Sequence, residues 1–310
     1  MKANIAVCLL SYNHQKTLPN VIDSILNQNS CEFKFFISDD CSTDNTWKIL
    51  EKYQSNNKNI TLLKTPKNIG MAGNVIHAFQ FINAKYIALL HHDDICDPNL
   101  LSEWSRVLDN HPDIGFVFNQ YGVYKSKFIF KEKFNSEYIK GNYFLENNLL
   151  KKWSCSVRGT AMIRKSSYEM VGGIRSRFGL LADIDLWMRL SMISNVGYVT
   201  KPLIYVHHDR PDDYPAEYLS EEWSWKRLKL LYDIHAENHC NYWDKQTFRN
   251  KIRWILFRIR LNYETMKWII YAVVRNRKDM LTSCHESETP YDLFPLKILR
   301  LCVKNSFIKG

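Results

Sequence analysis

Along the first hundred residues the chain alternates between two kinds of apolar pattern. Residues 5–10 form an unbroken apolar run, as expected of a strand buried on both faces. From Leu18 the apolar residues recur at helical spacing, as Leu18, Val21, Ile22 and Ile25, which predicts an amphipathic helix. The rhythm then repeats. A strand over 33–37 precedes a helix carrying Trp47, Ile49 and Leu50; a strand over 60–63 precedes a helix over 73–82; and a strand follows over Tyr86–Leu90. Strands separated by helices imply βαβ units and a mostly parallel sheet with helices on its faces.

Several of these strands run into polar clusters. The first ends in Ser11-Tyr12-Asn13, the second in Ser38-Asp39-Asp40 and the fourth in His91-His92-Asp93-Asp94. An open α/β sheet binds its ligands outside the carboxyl ends of its strands, so these clusters are expected to line one crevice. Ser42 and Asp44 precede a helix and read chiefly as caps, whereas Asp39 reads as a ligand contact. Farther on the order is less regular. A helix is expected after Pro98 to about residue 108, with strands at 114–118, 159–164, 196–199 and 203–206 and a further extended stretch at 123–130. Helices are expected at 166–171 and 183–193, and the apolar Trp187, Met162 and Met188 read as core. From Glu217 strand signals fade and long amphipathic patterns run to about residue 280.

Composition changes this picture in a few respects. The chain has 310 residues, 45% of them hydrophobic, which is enough for a sizeable core. The net charge of +10 is concentrated late: residues 251–278 hold eight Lys or Arg and one Glu, interleaved with Trp254, Ile255, Leu256, Phe257, Trp268, Ile269, Ile270 and Tyr271. Such a helix suits an anionic membrane surface; the alternative is a packed helical pair with a solvated basic face. No nucleic-acid-binding module accompanies the charge. The eight cysteines form no CxxC pair, which argues against a zinc knuckle or redox dithiol. No run is long enough to span a bilayer and no signal peptide is recognisable, so a cytoplasmic location at the inner face of the membrane is expected. A Walker loop and a GxGxxG fingerprint are both missing. Phosphates would therefore be held through a cation, for which the carboxylates after Leu90 suit Mg²⁺ or Mn²⁺.

In order, the motifs resemble those of the family 2 glycosyltransferases of GT-A fold. Ser11-Tyr12-Asn13 with Leu18, Ile22, Ser24, Ile25 and Gln28 resembles the family's "SYN…L…I.SI..Q". Residues 37–46 resemble "VDDGSTDGT"; Asn68, Gly70 and Asn74 resemble "N.G…N"; and residues 90–94 resemble the "LDxDD" metal motif. Gly159 to Arg164, Gly172-Gly173 and Asp183 to Leu190 continue the likeness, the last resembling "ED.DLW.RL". The resemblance implies a GT-A domain over 1–215, with a nucleotide-sugar half at 1–98 and an acceptor half at 99–215. It does not extend to the basic helical region at 216–310.

The same resemblance implies an inverting transfer of one sugar from a nucleotide-diphosphate sugar to a glycan or lipid-linked acceptor, as in capsule or lipopolysaccharide assembly. Asp183 falls where the family has its general base. Asp39 would contact the nucleobase, with Ser11 and Asn13 nearby, and Asp40, Asn68 and Gly70 would belong to the donor site. Asp93 would ligate Mn²⁺ or Mg²⁺, Asp94 would shape that site or touch the donor sugar, and His207 or His208, with His208 favoured, would complete it. Two departures stand out: His91 replaces the family's Asp, where it would belong to the donor site by hydrogen-bonding a ribose or ligating Mn²⁺ or would signal weaker metal dependence, and Ala182 replaces its Glu. They keep open a non-catalytic nucleotide-sugar or glycan-binding protein with a degenerate metal site. A nucleotidyltransferase is a third class, without the glycine-rich loop it would need. The "QxxRW" of processive relatives is missing, which favours single-sugar transfer. Trp153 to Cys155 falls in the half where acceptors bind.

Overall fold

The computed structural model describes residues 4–29, 32–130, 132, 134–150, 155–206, 221–243, 248–277, 280–282 and 292–305. The chain divides into two compact units, Met1–Asp213 and Tyr214–Gly310.

The first unit is built on a sheet whose central strand is the most apolar segment of the chain. Strand β1 (Ile5–Ser11) is buried along its whole length. It lies between β2 (Phe33–Asp39) and β4 (Tyr86–Leu90), both parallel to it. Strand β3 (Ile60–Lys64) pairs with β2, and then the order reverses, running β3-β2-β1-β4. The β1/β4 boundary is thus a switch point, where the connections leave the sheet in opposite directions and open a crevice. Helix α1 (Leu18–Leu26) buries Leu18, Val21, Ile22 and Ile25, the positions the spacing picks out, and has a proline in its first turn, where the missing N–H costs nothing. Helices α2 (Thr46–Asn56) and α3 (Gly70–Phe79) complete the βαβ rhythm.

Beyond β4 the sheet becomes mixed. After the two-residue β5 (Ile95–Cys96) and α4 (Leu100–Asn110) come the long β6 (Ile114–Val123) and the short β7 (Ile129–Phe130) and β8 (Tyr138–Ile139). Next are α5 (Gly141–Phe144) and a single π-helical turn, Leu145–Leu149. Strand β9 (Ala161–Arg164) enters between β4 and β6, antiparallel to both. Helix α6 (Lys165–Met170), a short 3₁₀ segment, α7 (Ala182–Ile193) and β10 (Asn195–Val206) follow. Where the hydrophobic pattern suggests two short strands, β10 is one strand beside β6. Pro202 has no N–H to give the ladder, and register shifts on either side of it absorb the loss. Trp187, Met162 and Met188 are fully buried, with the Trp187 ring 5.0 Å from that of Phe116.

Two arginines tie the acceptor-side elements together. Arg164, at the end of β9, donates to the carbonyls of Leu108 at 2.7 Å and Ile114 at 2.9 Å, so one guanidinium serves the last turn of α4 and the start of β6. Arg189 in α7 pairs with the buried Asp185 at 2.8 Å and donates to the Val171 and Gly173 carbonyls at 2.6 and 2.7 Å. That clamp sets the position of the first turn of α7.

In the second unit, α8 (Glu221–Tyr242) and α9 (Phe248–Val274) meet where His239 stacks on Phe257, with ring centres 4.1 Å apart. The helix Phe294–Val303 contributes Leu296 and Val303 to a core with Ile269 and Ala272 of α9 and with Met280 and Leu281. The Asn262 side chain of α9 accepts from the Leu293 N–H at 2.7 Å and so fixes the start of that helix.

Replacing Arg189 by Leu takes from the buried Asp185 its 2.8 Å partner and leaves Arg175 at 3.7 Å. Breaking a buried pair in this way costs about 3–5 kcal/mol, and urea unfolding of Arg189→Leu should show a loss of that size. A loss below about 1 kcal/mol, the range of an exposed pair, would contradict the assigned role.

Candidate active site

The carboxyl ends of β1, β2 and β4 come level through their register. Ser11 pairs with Asp39, and Leu9 pairs with Leu90. The residues after each strand therefore face the same crevice, and the segment after β4 crosses it. That segment is held at both ends, because β5 pairs antiparallel with β10, Cys96 against Ile204 and Ile95 against Tyr205.

Between these anchors, His91, Asp93 and Asp94 present ligand atoms that all lie within 4.8 Å of one another. His92 turns the other way. Its ring lies 3.4 Å from that of His14, measured between centres, and it hydrogen-bonds the Leu10 carbonyl. Burial pushes the His92 pKa down to about 3, with the neighbouring imidazoles adding to the effect. Its ring is thus spent on packing and a backbone hydrogen bond. The two carboxylates diverge. Burial pushes Asp93 up, but the His92, His91 and His14 imidazoles outweigh it and hold the group below its ordinary range. Burial and then the charge of Asp93 push Asp94 well above that range, against the opposing charge of Arg158.

Asp183 sits in the first turn of α7, almost fully buried. Burial raises its pKa, against the charge of His91 and the backbone N–H of Ile184. His91 thus acts on Asp183 as well as standing beside the carboxylate pair. Its Nε2 is buried with no hydrogen-bond partner. A glycine makes room for the ring: a β-carbon at Gly159 would stand 2.4 Å from His91 Cε1, and Gly159 has φ of +80°. The Cys155 thiol also feels the charge of Asp183, and its burial pushes its own pKa up, so it is unreactive as a thiolate.

On the nucleotide side, most of the residues singled out in the sequence are engaged within the protein. Asp39 is fully buried and accepts from the Ser42 N–H at 2.9 Å and from the Ser42 hydroxyl. Its pKa is raised by burial, against those bonds. Ser42 accordingly braces Asp39 and accepts from the Asn13 N–H at 2.9 Å, instead of capping α2; Asp44 accepts from the Thr46 N–H at 2.9 Å at the start of that helix. The Asn13 side chain accepts from the Thr43 N–H at 2.8 Å, and Asn13 itself adopts φ of +55°. Asp40 spends both oxygens on the turn before α3, accepting from Thr65 Oγ1 at 2.8 Å and from the Ile69 and Gly70 N–H groups at 2.9 and 2.8 Å. Asn68 accepts from the same Gly70 N–H at 3.0 Å. The Ser11 hydroxyl is buried with no partner in the protein. His207, His208, Trp153 and Ser154 lie outside the described residues.

Three contributors escape sequence reasoning. Thr65 and Ser42 act by bracing the two aspartates, and Gly159 acts by what it lacks. Only the motif position of Gly159 signals it, since its proximity to His91 depends on β9 running antiparallel beside β4.

The arrangement gathers three carboxylates and an imidazole around one end of a parallel strand. A hard cation, a diphosphate and a proton-accepting carboxylate all have a chemical place there. Comparison with known proteins agrees. The model described as "Glycosyl transferase family 2" matches residues 6–172. The chain is 28% identical over 210 residues to the putative glycosyltransferase EpsE of Bacillus subtilis, covering 65% of this chain and 71% of that one. It is 30% identical over 145 residues to the Escherichia coli UDP-Glc:alpha-D-GlcNAc-diphosphoundecaprenol beta-1,3-glucosyltransferase WfgD, covering 46% of this chain and 55% of that one. Residues 1–349 of Staphylococcus aureus TarS, solved with UDP, align with a TM-score of 0.66 at 16% identity, covering 100% of this chain and 92% of that one. The mannosyltransferase PcManGT of Pyrobaculum calidifontis, solved with GDP-Man and Mn²⁺, aligns at 0.59 and 15%, covering 100% and 89%. With the family's model spanning more than half of its length on an α/β fold of the same kind, this chain belongs to glycosyl transferase family 2.

Proposed function

We propose that the protein transfers a single sugar, with inversion, from a nucleotide-diphosphate sugar to a glycan or lipid-linked glycan acceptor in cell-surface polysaccharide assembly. The observation that carries this reading is the grouping of His91, Asp93 and Asp94 at the switch point, with Asp183 near enough to feel the His91 ring. The named activities of relatives such as WfgD support the substrate class.

The donor set fits a divalent cation. Carboxylate oxygens suit Mg²⁺ or Mn²⁺ and imidazole nitrogen favours Mn²⁺, while the Nε2 of His91 is buried without a hydrogen-bond partner in the protein, and the tautomer that leaves it unprotonated can ligate. Asp93, held ionised, is the first ligand, with His91 and Asp94 beside it. His208 is kept as a further ligand of the same site. A bound cation would supply charge neutralisation on the departing diphosphate.

The protein's own groups do the rest. The Ser11 hydroxyl and the braced carboxylate of Asp39 face the nucleoside at the ends of β1 and β2, while Asn13, Asp40, Asn68 and Gly70 hold the surrounding loops in shape. Asp183 accepts the proton of the acceptor hydroxyl as its oxygen bonds to the anomeric carbon and the carbon–oxygen bond to the diphosphate breaks. The nucleoside diphosphate leaves with that electron pair. One base suffices, because no sugar–enzyme bond forms. A raised carboxylate pKa in a dry first turn suits a base of this kind.

The second unit suggests how such an enzyme would meet a lipid-linked substrate. Phe248, Ile252, Ile255, Leu256, Ile259, Tyr263, Ile270 and Val274 recur at helical spacing along α9 and are exposed, Leu256 by 58% and Val274 by 76%. Six Lys or Arg and one Glu share the helix. No helix among the described residues is long and apolar enough to cross a membrane. An apolar stripe flanked by positive charge suits the surface of an anionic bilayer, at the cytoplasmic face where such acceptors are elongated.

Three outcomes test this reading. Asp183→Asn should lower transfer by about 10²–10⁴-fold in a mass-spectrometric donor screen while nucleotide affinity holds; full activity would remove Asp183 as the base, and donor binding without transfer by the unaltered protein would favour a binding function. Chelation with EDTA should abolish turnover and added Mn²⁺ or Mg²⁺ restore it, and insensitivity to EDTA would remove the cation. Sedimentation with anionic vesicles should fall at least about tenfold in a Leu256→Asp/Ile259→Asp variant, since each apolar side chain withdrawn from water contributes about 1.5–3 kcal/mol; equal binding to neutral vesicles, or no loss in the variant, would count against membrane docking through α9.

A further inference from the structure

Arg158 carries a charge for which the transfer chemistry above has no role. It stands in the turn before β9 with φ of +49°, next to Gly159 in the same left-handed region. A non-glycine residue pays about 1–2 kcal/mol for that conformation, so the surroundings must hold it. The Tyr121 hydroxyl of β6 does so, lying within reach of the Val157 carbonyl and 3.0 Å from both the carbonyl and Oγ1 of Thr160.

The side chain is placed as firmly. Its guanidinium lies 3.8 Å from the centre of the Phe130 ring and 5.7 Å from that of Tyr121. Stacking by a face leaves the N–H edge free for a planar, bidentate partner. Arg158 is exposed, and no carboxylate among the described residues forms an ion pair with it. Its charge nevertheless reaches Asp94. The fold thus holds a preorganised, uncommitted cation at the rim of an acidic site.

Its location favours one side of the reaction. Arg158 is anchored on β6 and β7, in the part of the sheet beyond β4, while the diphosphate of a donor belongs with the cation ligands after β4. From Phe130 the aromatic surface continues outward to Phe128, 5.0 Å away edge to face and 55% exposed. Sugar faces pack on such rings. A sugar presenting its hydroxyl to Asp183 and an acidic group to Arg158 would meet both features.

We propose that Arg158 selects the acceptor by binding a phosphate or carboxylate group next to the acceptor sugar. This rests on the reading of the site as one of sugar transfer. Three probes separate the possibilities: an alkyl glycoside of N-acetylglucosamine, the same sugar on an alkyl diphosphate, and an alkyl glucuronide. Their binding to the full chain, with Mn²⁺ and UDP or GDP present, is measured by calorimetry and needs no turnover.

The unaltered protein should bind one or both anionic probes about ten- to a hundredfold more tightly than the neutral one, as expected for a charge-assisted hydrogen-bonded contact. Preference for the diphosphate alone identifies a phosphate linker, and preference for the glucuronide a carboxylate. Arg158→Gln should erase the preference and Arg158→Lys retain part of it, with UDP or GDP affinity unchanged in both and thermal unfolding confirming that each variant folds. The proposal is overturned if the three probes bind alike, if the preference survives Arg158→Gln, or if the variant loses nucleotide affinity instead, which would assign Arg158 to the donor. A retained preference in a protein that transfers no sugar would leave this subsite standing and remove the transfer reading.

Discussion

The segment between Leu90 and Ile95 leaves the sheet from one of its inner strands and rejoins it through β5. Because both ends are hydrogen-bonded into the same sheet, the four residues between them have little freedom, and the path they take decides which side chains meet. His91, Asp93 and Asp94 gather on one side, and His92 packs against His14 on the other. The parallel register of β1 and β2 then brings Ser11 and Asp39 to the same edge. The rest of the site is arranged around this strap. Gly159 yields space to the His91 ring, and the Asp185–Arg189 clamp fixes the turn from which Asp183 reaches it.

Burial sets the electrostatics of the crevice. Asp39, Asp94 and Asp183 are all pushed toward the neutral form by loss of water, and each is opposed by a different local device: hydrogen bonds from Ser42, the charge of Arg158, and the His91 ring with a helix N–H. Asp93 alone is held on the ionised side, by its histidine neighbours. Carboxylates crowded in this way are costly without a cation or protons to share, which accords with the cation site proposed above.

Much of this was legible in the sequence because burial writes itself as pattern. Residues 5–10 announce a central strand, and the switch to helical spacing at Leu18 announces α1. The polar clusters at the strand ends locate the crevice. What stays hidden is long-range. No local signal says that β9 inserts antiparallel between β4 and β6, yet that insertion brings Gly159 to His91 and Arg158 to Asp94. The division of labour among the aspartates is equally silent: Asp39 and Asp40 are adjacent and chemically alike, but the register turns Asp40 toward Thr65 and the turn before α3, where it spends itself on structure. Pro202 reads as a break between two strands, although the sheet accommodates it as a bulge.

His91 stands where the family motif has an aspartate, and its Nε2 is buried without a hydrogen-bond partner in the protein. The central claim is that this nitrogen, with Asp93 and Asp94, holds the divalent cation that carries the donor diphosphate. Pulsed electron paramagnetic resonance of the protein with Mn²⁺ and UDP tests it most directly. The account predicts a nitrogen coupling from one imidazole, lost in His91→Ala, together with a phosphorus coupling from the nucleotide. A Mn²⁺ signal with phosphorus coupling but no protein nitrogen, or with a nitrogen coupling that persists in His91→Ala, would contradict it.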